Sequence, residues 1–130
     1  MRVVRVLTVV LLLTCAACAR PAGTRETDRQ ARTIADAIAY PRQPDAAGLA
    51  QAALATTRGR GGGLTVLEAR DLPAKRLQDV RSELGVLLHT DETHGALGTT
   101  PALDACYRMD FSYYGVVGSV QRIDCPRAKR

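Results

Sequence analysis

"CYRMDFSYYGVVGSVQRIDC", Cys106 to Cys125, is the stretch that decides how this chain folds. Tyr107, Met109, Phe111 and Tyr113 alternate with Arg108, Asp110 and Ser112. Successive side chains of a strand point to opposite faces, so the alternation predicts an antiparallel strand with one buried face. Gly115 and Gly118 supply flexible positions for a reversal, and Val120 to Ile123 run back. Setting Cys106 opposite Cys125 places Tyr113 opposite Gly118 across a four-residue loop, with Arg108 facing Ile123 and Met109 facing Arg122. The returning strand alternates less cleanly, which leaves room for a bulge or a shifted register.

Upstream of the hairpin the pattern is mixed. "LTVLEAR", Leu64 to Arg70, and "ELGVLLHT", Glu83 to Thr90, read as strands. Between them, "LPAKRLQDVRS" fits either a short helical turn at Pro73 or a loop, and "DETHGALGTTP", Asp91 to Pro101, reads as a polar loop. In "DRQARTIADAIAY", Asp28 to Tyr40, Ala31, Ile34, Ala35 and Ile38 fall at helical spacing on one stripe, with Thr24 or Thr27 as its expected cap. "YPRQP", Tyr40 to Pro44, stops that helix, because proline cannot continue it and disfavours helical geometry one residue earlier. A second helix is expected over Asp45 to Thr57, capped by Asp45, with Leu49, Ala50, Ala53 and Leu54 facing inward. "RGRGGG", Arg58 to Gly63, lacks the lysine and hydroxyl of a phosphate-binding loop and reads as a connection.

The N-terminus sets the compartment. Arg2 and Arg5 precede an uncharged run from Val6 to Ala19, 14 residues long. A spanning helix needs about 20 apolar residues, so the run fits a secretory leader instead. "CAAC", Cys15 to Cys18, resembles a bacterial lipobox, in which small residues precede a cysteine whose thiol is acylated. Cys18 is the expected lipidation site, although Cys15 stands where such motifs usually carry leucine. Cleavage after Ala19 is the competing route and would release a free protein starting at Arg20. The expected organisation is a leader over 1–17, a polar tether over 18–27, one domain over 28–126 and a tail over 127–130. Acylation would consume Cys18 and leave Cys106 and Cys125 as one pair, which in an exported protein forms a disulfide.

Composition narrows the function classes. Of 130 residues, 18 are Lys or Arg and 13 are Asp or Glu; removing Arg2 and Arg5 with the leader lowers the net charge from +5 to +3. The charges are interspersed, so a nucleic-acid partner is not indicated. One Phe, no Trp and two Met make a thin core, which benefits from a covalent staple. "HTDETH" gathers His89, Asp91, Glu92 and His94, ligand types for a metal, but not at the i, i+4 spacing of a helical zinc motif, and a solvated loop is the expectation. Asp124 is expected to pair across the strands with Arg108 or Arg122. No nucleophile elbow or dinucleotide fingerprint is present. The expectation is therefore a non-enzyme without cofactor or metal.

Tyr113 and Tyr114, at the hairpin tip, form the candidate binding tip for an unknown protein or small ligand. The leading reading of these residues, however, sends Tyr113 into the core with the alternating set and leaves Tyr114 alone exposed.

With its lipobox-like leader, its "YPR" segment and above all "CYRMDF" and "GVVGSVQRIDCP", the chain resembles small secreted lipoproteins of actinobacteria over most of its length. The resemblance implies export and a cysteine pair, and brings no activity with it. The expected fold is α+β: N-terminal helices packed on a roughly four-stranded antiparallel sheet that ends in a disulfide-clamped hairpin. The leading functional expectation is a membrane-anchored envelope protein with a binding or accessory role. A freely secreted inhibitor or immunity-type domain comes second, and an enzyme third.

Overall fold

A computed structural model describes residues 22–59 and 62–127. The leader, Cys15 and Cys18 lie outside the described residues. The chain is α+β, with two helices on one face of an antiparallel sheet. The elements run α1 (Ala22–Ala39), α2 (Ala46–Thr56), β1 (Gly63–Asp71), β2 (Ser82–Thr90), β3 (Thr93–Gly95), β4 (Gly98–Thr100), β5 (Leu103–Ser112), β6 (Gly115–Val116) and β7 (Gln121–Ile123). The sheet order is β1-β2-β5-β6, with β7 also pairing β5, and β3–β4 form a separate two-stranded ribbon.

The core follows the sequence periodicity. Ala31, Ile34, Ala35 and Ile38 of α1 are all buried, together with Leu49 and Ala53 of α2. They meet Leu84, Val86 and Leu88 of β2 and Ala105, Tyr107, Met109 and Phe111 of β5. Register places these strand residues side by side, with Leu84 opposite Met109, Val86 opposite Tyr107 and Leu88 opposite Ala105. The small side chains of α2 let it settle over β1. Asp45 caps α2 as its sequence predicts, accepting from the Gly48 N–H at 2.8 Å. Asp71 pins the same helix end, accepting from the Ala46 N–H at 2.8 Å and from the Ser82 hydroxyl at 3.0 Å.

Several expectations change. α1 begins at Ala22, inside the stretch read as tether, so residues 22–27 are helical. Thr27 is not a cap but an interior helical residue with no solvent exposure. Its hydroxyl reaches the carbonyls of Gly23 and Thr24, and its Oγ1 lies 2.9 Å from Tyr107 Oη. The Tyr107 hydroxyl donates to Asp28 Oδ1 at 2.6 Å, and Arg122 of β7 approaches the same carboxylate oxygen at 3.5 Å. A buried phenol thus gives the polar start of α1 a partner that only tertiary contact supplies. Burial foremost, then the hydrogen bond to Asp28, pushes the Tyr107 hydroxyl up to about 12.

The linker between β1 and β2 is a loop, organised by Asp79, which accepts from the N–H groups of Lys75 and Arg76. The Arg76 N–H bond is the main influence holding that carboxyl below its usual range. Between β2 and β5, the expected polar loop instead forms the β3–β4 ribbon, because Thr93 pairs with Thr100 and Gly95 with Gly98.

The C-terminal hairpin is tighter than the cysteine alignment suggests. Ser112 pairs with Gly115, leaving only Tyr113 and Tyr114 in the turn, and Phe111 pairs with Val116. Gly115, at φ 120, permits this reversal. Farther along, Cys106 pairs with Ile123, Tyr107 with Arg122 and Arg108 with Gln121. The register thus steps by two residues between β6 and β7, and residues 117–120 absorb the step. Arg108 therefore faces Gln121 rather than Ile123, and Met109 lies beyond the β7 pairing. The Cys106–Cys125 disulfide is formed, with the Cα atoms 5.1 Å apart.

A bulge interrupts β1 between Val66 and Glu68, so Leu67 has no register partner on β2. Beyond it, the sheet face away from the helices carries a charge ladder. Arg70 bonds Glu83 at 3.0 Å and approaches Glu68 at 3.8 Å, while Arg108 approaches Glu83 at 3.8 Å and Asp110 at 3.6 Å. Arg108 and Arg122 thus find Glu83, Asp110 and Asp28 rather than Asp124. The stepped register, by moving Arg122 opposite Tyr107, explains the exchange of partners.

Candidate functional site

The aromatic end of the molecule is built from two segments far apart in sequence. α1 ends at Ala39, and "YPR" leads the chain off the helix through a cis Tyr40–Pro41 peptide. The β5–β6 turn arrives at the same place: a methyl on Gly115 would lie 3.7 Å from Ala39 Cβ and 3.9 Å from the Tyr40 ring. The Tyr40 hydroxyl donates to the Tyr114 carbonyl at 2.8 Å. Arg42 donates to the Tyr113 hydroxyl at 2.8 Å, and its guanidinium carbon lies 4.0 Å from the Tyr113 ring centroid. The Tyr40 ring centroid is 5.9 Å from the same carbon. Tyr113 and Tyr114 meet edge to face at 5.5 Å.

These contacts fix the rings without hiding them. Tyr40 and Tyr114 are each 57% exposed, and Leu77, next to Tyr113, is 53% exposed. Leu77 is held there by the Tyr113 N–H, which donates to its carbonyl at 3.1 Å. Tyr113 is half-buried. It leaves the alternating core series because it sits in the turn, so the core takes only Tyr107, Met109 and Phe111. Both tip residues are therefore surface-forming. An open groove of about 610 Å³ adjoins Tyr113, walled by Pro44, Leu72, Lys75, Leu77 and Arg81. Chemically, this end offers flat aromatic faces, a shared guanidinium and phenolic hydroxyls held in a fixed frame. Tyr40 and Arg42 were missed as site residues because "YPR" carries a strong helix-stop signal, which says nothing about where the stopped chain lands.

The histidines separate. His89 Nδ1 lies 2.6 Å from Asp104 Oδ1, its cross-strand neighbour, and Nε2 lies 3.4 Å from Asp91 Oδ1. The other Asp91 oxygen accepts from the Gly62 N–H at 2.9 Å. This cluster ties together the start of β1, the end of β2 and the start of β5. The hydrogen bond to Asp104, ahead of the attraction of both carboxylates, raises the His89 pKa. His94 instead contacts Thr99 at 3.0 Å and Glu92 at 3.4 Å on the ribbon. Among the described residues, no three His, Cys, Asp or Glu side chains are placed to hold a metal ion.

A second cavity, about 260 Å³, lies between α1 and the strand ends, lined by Glu26, Arg29, Gln30, Ile34, Thr57 and Leu88. Arg29 is ion-paired with Glu26 there. Ligand pockets for drug-sized molecules begin near 300 Å³, so this cleft suits at most a small molecule or water. No family model, curated protein or solved structure matches the chain.

Proposed function

We propose that this is an exported envelope protein, lipid-anchored through Cys18, that works by binding rather than catalysis, through its aromatic end. The observation that carries the binding role is the framing of Tyr40, Arg42, Tyr113 and Tyr114 by mutual contacts while Tyr40 and Tyr114 stay more than half exposed. Rigid aromatic surface of this kind lowers the ordering cost of association, because little side-chain freedom is left to lose. The Cys106–Cys125 disulfide supports an oxidising compartment, and the lipobox-like "CAAC" supports the anchor.

Two measurements test the reading. Intact mass of native protein, reduced and unreduced, together with membrane fractionation, reads the anchor. Acyl mass on a chain starting at Cys18 agrees with it, and soluble protein starting at Arg20 replaces it with the freely secreted inhibitor or immunity-type reading. A photo-crosslinker in place of Tyr114 reads the binding role. The expected result is one discrete adduct on intact cells that disappears when Arg42→Ala removes the frame. Labelling that is equally strong from a site on the charge ladder, such as Glu68, rules the aromatic end out.

A further inference from the structure

The β3–β4 ribbon projects as an arm, and its tip is apolar. Every residue from Asp91 to Thr100 is exposed, and Leu97 at the turn is the most exposed large apolar side chain among the described residues, with no part of it covered. Leu97 sits in the turn between the paired Gly95 and Gly98 and follows Ala96, so the arm ends in two apolar residues on a stalk of Thr, His and Gly. A single exposed leucine is ordinary on a protein surface. Its position relative to the chain's N-terminal end gives this one a meaning.

α1 begins beside the base of the arm: a methyl on Gly23 would lie 3.8 Å from both Thr100 and Leu103. The other end of α1 meets Gly115, past the far end of β5. α1 therefore runs the full length of β5, and its 18 residues put about 27 Å between the arm's base and the aromatic end. Four peptide units separate Cys18 from Ala22, a span of at most about 14 Å even when fully extended. Three paired positions carry the arm out by about 10 Å beyond its base. Leu97 is thus within reach of any surface that holds Cys18, whereas Tyr114 meets that surface only if the domain lies flat along it.

We infer that the β3–β4 arm is a membrane-contacting finger, with Leu97 and Ala96 entering the lipid interface beside the acylated Cys18, so that the domain stands with its aromatic end pointing away from the bilayer. This rests on the lipid anchor proposed above. The acyl chains hold the protein on the membrane, and the finger fixes its orientation. Burying one leucine shifts a partition equilibrium by on the order of ten- to a hundredfold, ample when the anchor already keeps the arm within tether reach of the lipid. No helix among the described residues is long and apolar enough to cross a membrane, and the inference needs none.

The test uses the full acylated protein in phosphatidylethanolamine–phosphatidylglycerol vesicles containing spin-labelled phospholipid. An environment-sensitive fluorophore is placed on Ala96→Cys, and in a second sample on Tyr114→Cys. The expected result is blue-shifted emission and lipid quenching at position 96, and neither at position 114. Adding Leu97→Asp to the Ala96→Cys protein should abolish the quenching while leaving the protein vesicle-bound and its melting temperature unchanged. Acylated, vesicle-bound protein whose position-96 probe stays in water, or whose position-114 probe is the quenched one, overturns the finger and leaves the anchor standing. Protein with no acyl mass that fails to float with vesicles overturns the anchor, and the finger with it.

Discussion

Tyr107→Phe tests the tie between the first helix and the sheet. The substitution deletes one oxygen from a residue that is 2% exposed and leaves the ring packing in place. Hydrogen bonds to charged groups contribute about 1.5–3 kcal/mol net. Thr27 keeps the Gly23 and Thr24 carbonyls as partners, and Asp28 keeps Arg122, so neither is stranded by the change. The loss therefore falls at the low end, about 1.5 kcal/mol, or roughly 7 °C in melting temperature for a domain of this size. Urea unfolding at pH 7 reads it as a lower midpoint with an unchanged slope. The same comparison at high pH adds a sign. The folded pKa of Tyr107, about 12, stands above its unfolded value of 10.0. The stabilisation is then complete below pH 10 and fades as pH rises toward 12, so the wild-type advantage over the variant should shrink across that window. A Tyr107→Phe midpoint within about 0.3 kcal/mol of wild type would refute the reasoning, since hydrogen-bond loss at a buried site is not that cheap.

The Cys106–Cys125 bridge spans a sequence separation of 19, for which loop-closure entropy gives about 3 kcal/mol; reduction should cost that much, and hydrogen exchange should accelerate first at Gln121–Ile123, a short exposed strand next to the bridge. Because the folded state raises the His89 pKa, the stability His89 contributes is present below its unfolded value of 6.5 and lost as pH rises through the higher folded value. Urea midpoints from pH 5 to 8 should show that decline in wild type and lack it in His89→Gln, and equal slopes would dismiss the cluster. Leu84→Ala, at a position with no exposure beside Met109, should cost about 2–5 kcal/mol in equilibrium unfolding. Gly62→Ala should destabilise more than Gly59→Ala: both have positive φ, but the new methyl meets the His89 carbonyl oxygen at 2.4 Å only at Gly62. Thermal melts showing the reverse order would count against the close approach of these two strands.

Local periodicity made much of this fold legible. The stripe from Ala31 to Ile38 is the buried face of α1, Asp45 is a working cap, and the alternation from Tyr107 to Phe111 is the inner face of β5. The helices, the antiparallel sheet and the disulfide are as the sequence reads. What periodicity could not supply was register. The two cysteines are bonded without being directly opposite, because a bridge can join diagonal positions while the backbone pairs Cys106 with Ile123. That two-residue step tightened the turn, moved Tyr113 out of the core and gave Arg122 to Asp28 instead of Asp124. Residues 22–27 looked like a linker because their side chains are mostly polar, and their tie to the sheet, the Tyr107 hydroxyl on Thr27, comes from eighty residues away. Half of the aromatic end was visible in "YYG"; the half from Tyr40 and Arg42 depends on tertiary placement.

The bulge at Leu67 has a consequence for copies of this protein that crowd together. β1 is the outermost strand, and a straight nine-residue border of free amides and carbonyls would invite a neighbour's border to zip onto it. The extra residue throws the hydrogen-bonding rhythm out of step midway, and Glu68 and Arg70 follow at once as charged side chains that two stacked copies would each have to accommodate. A second copy's border would find matching positions only on one side of the bulge at a time before meeting those charges.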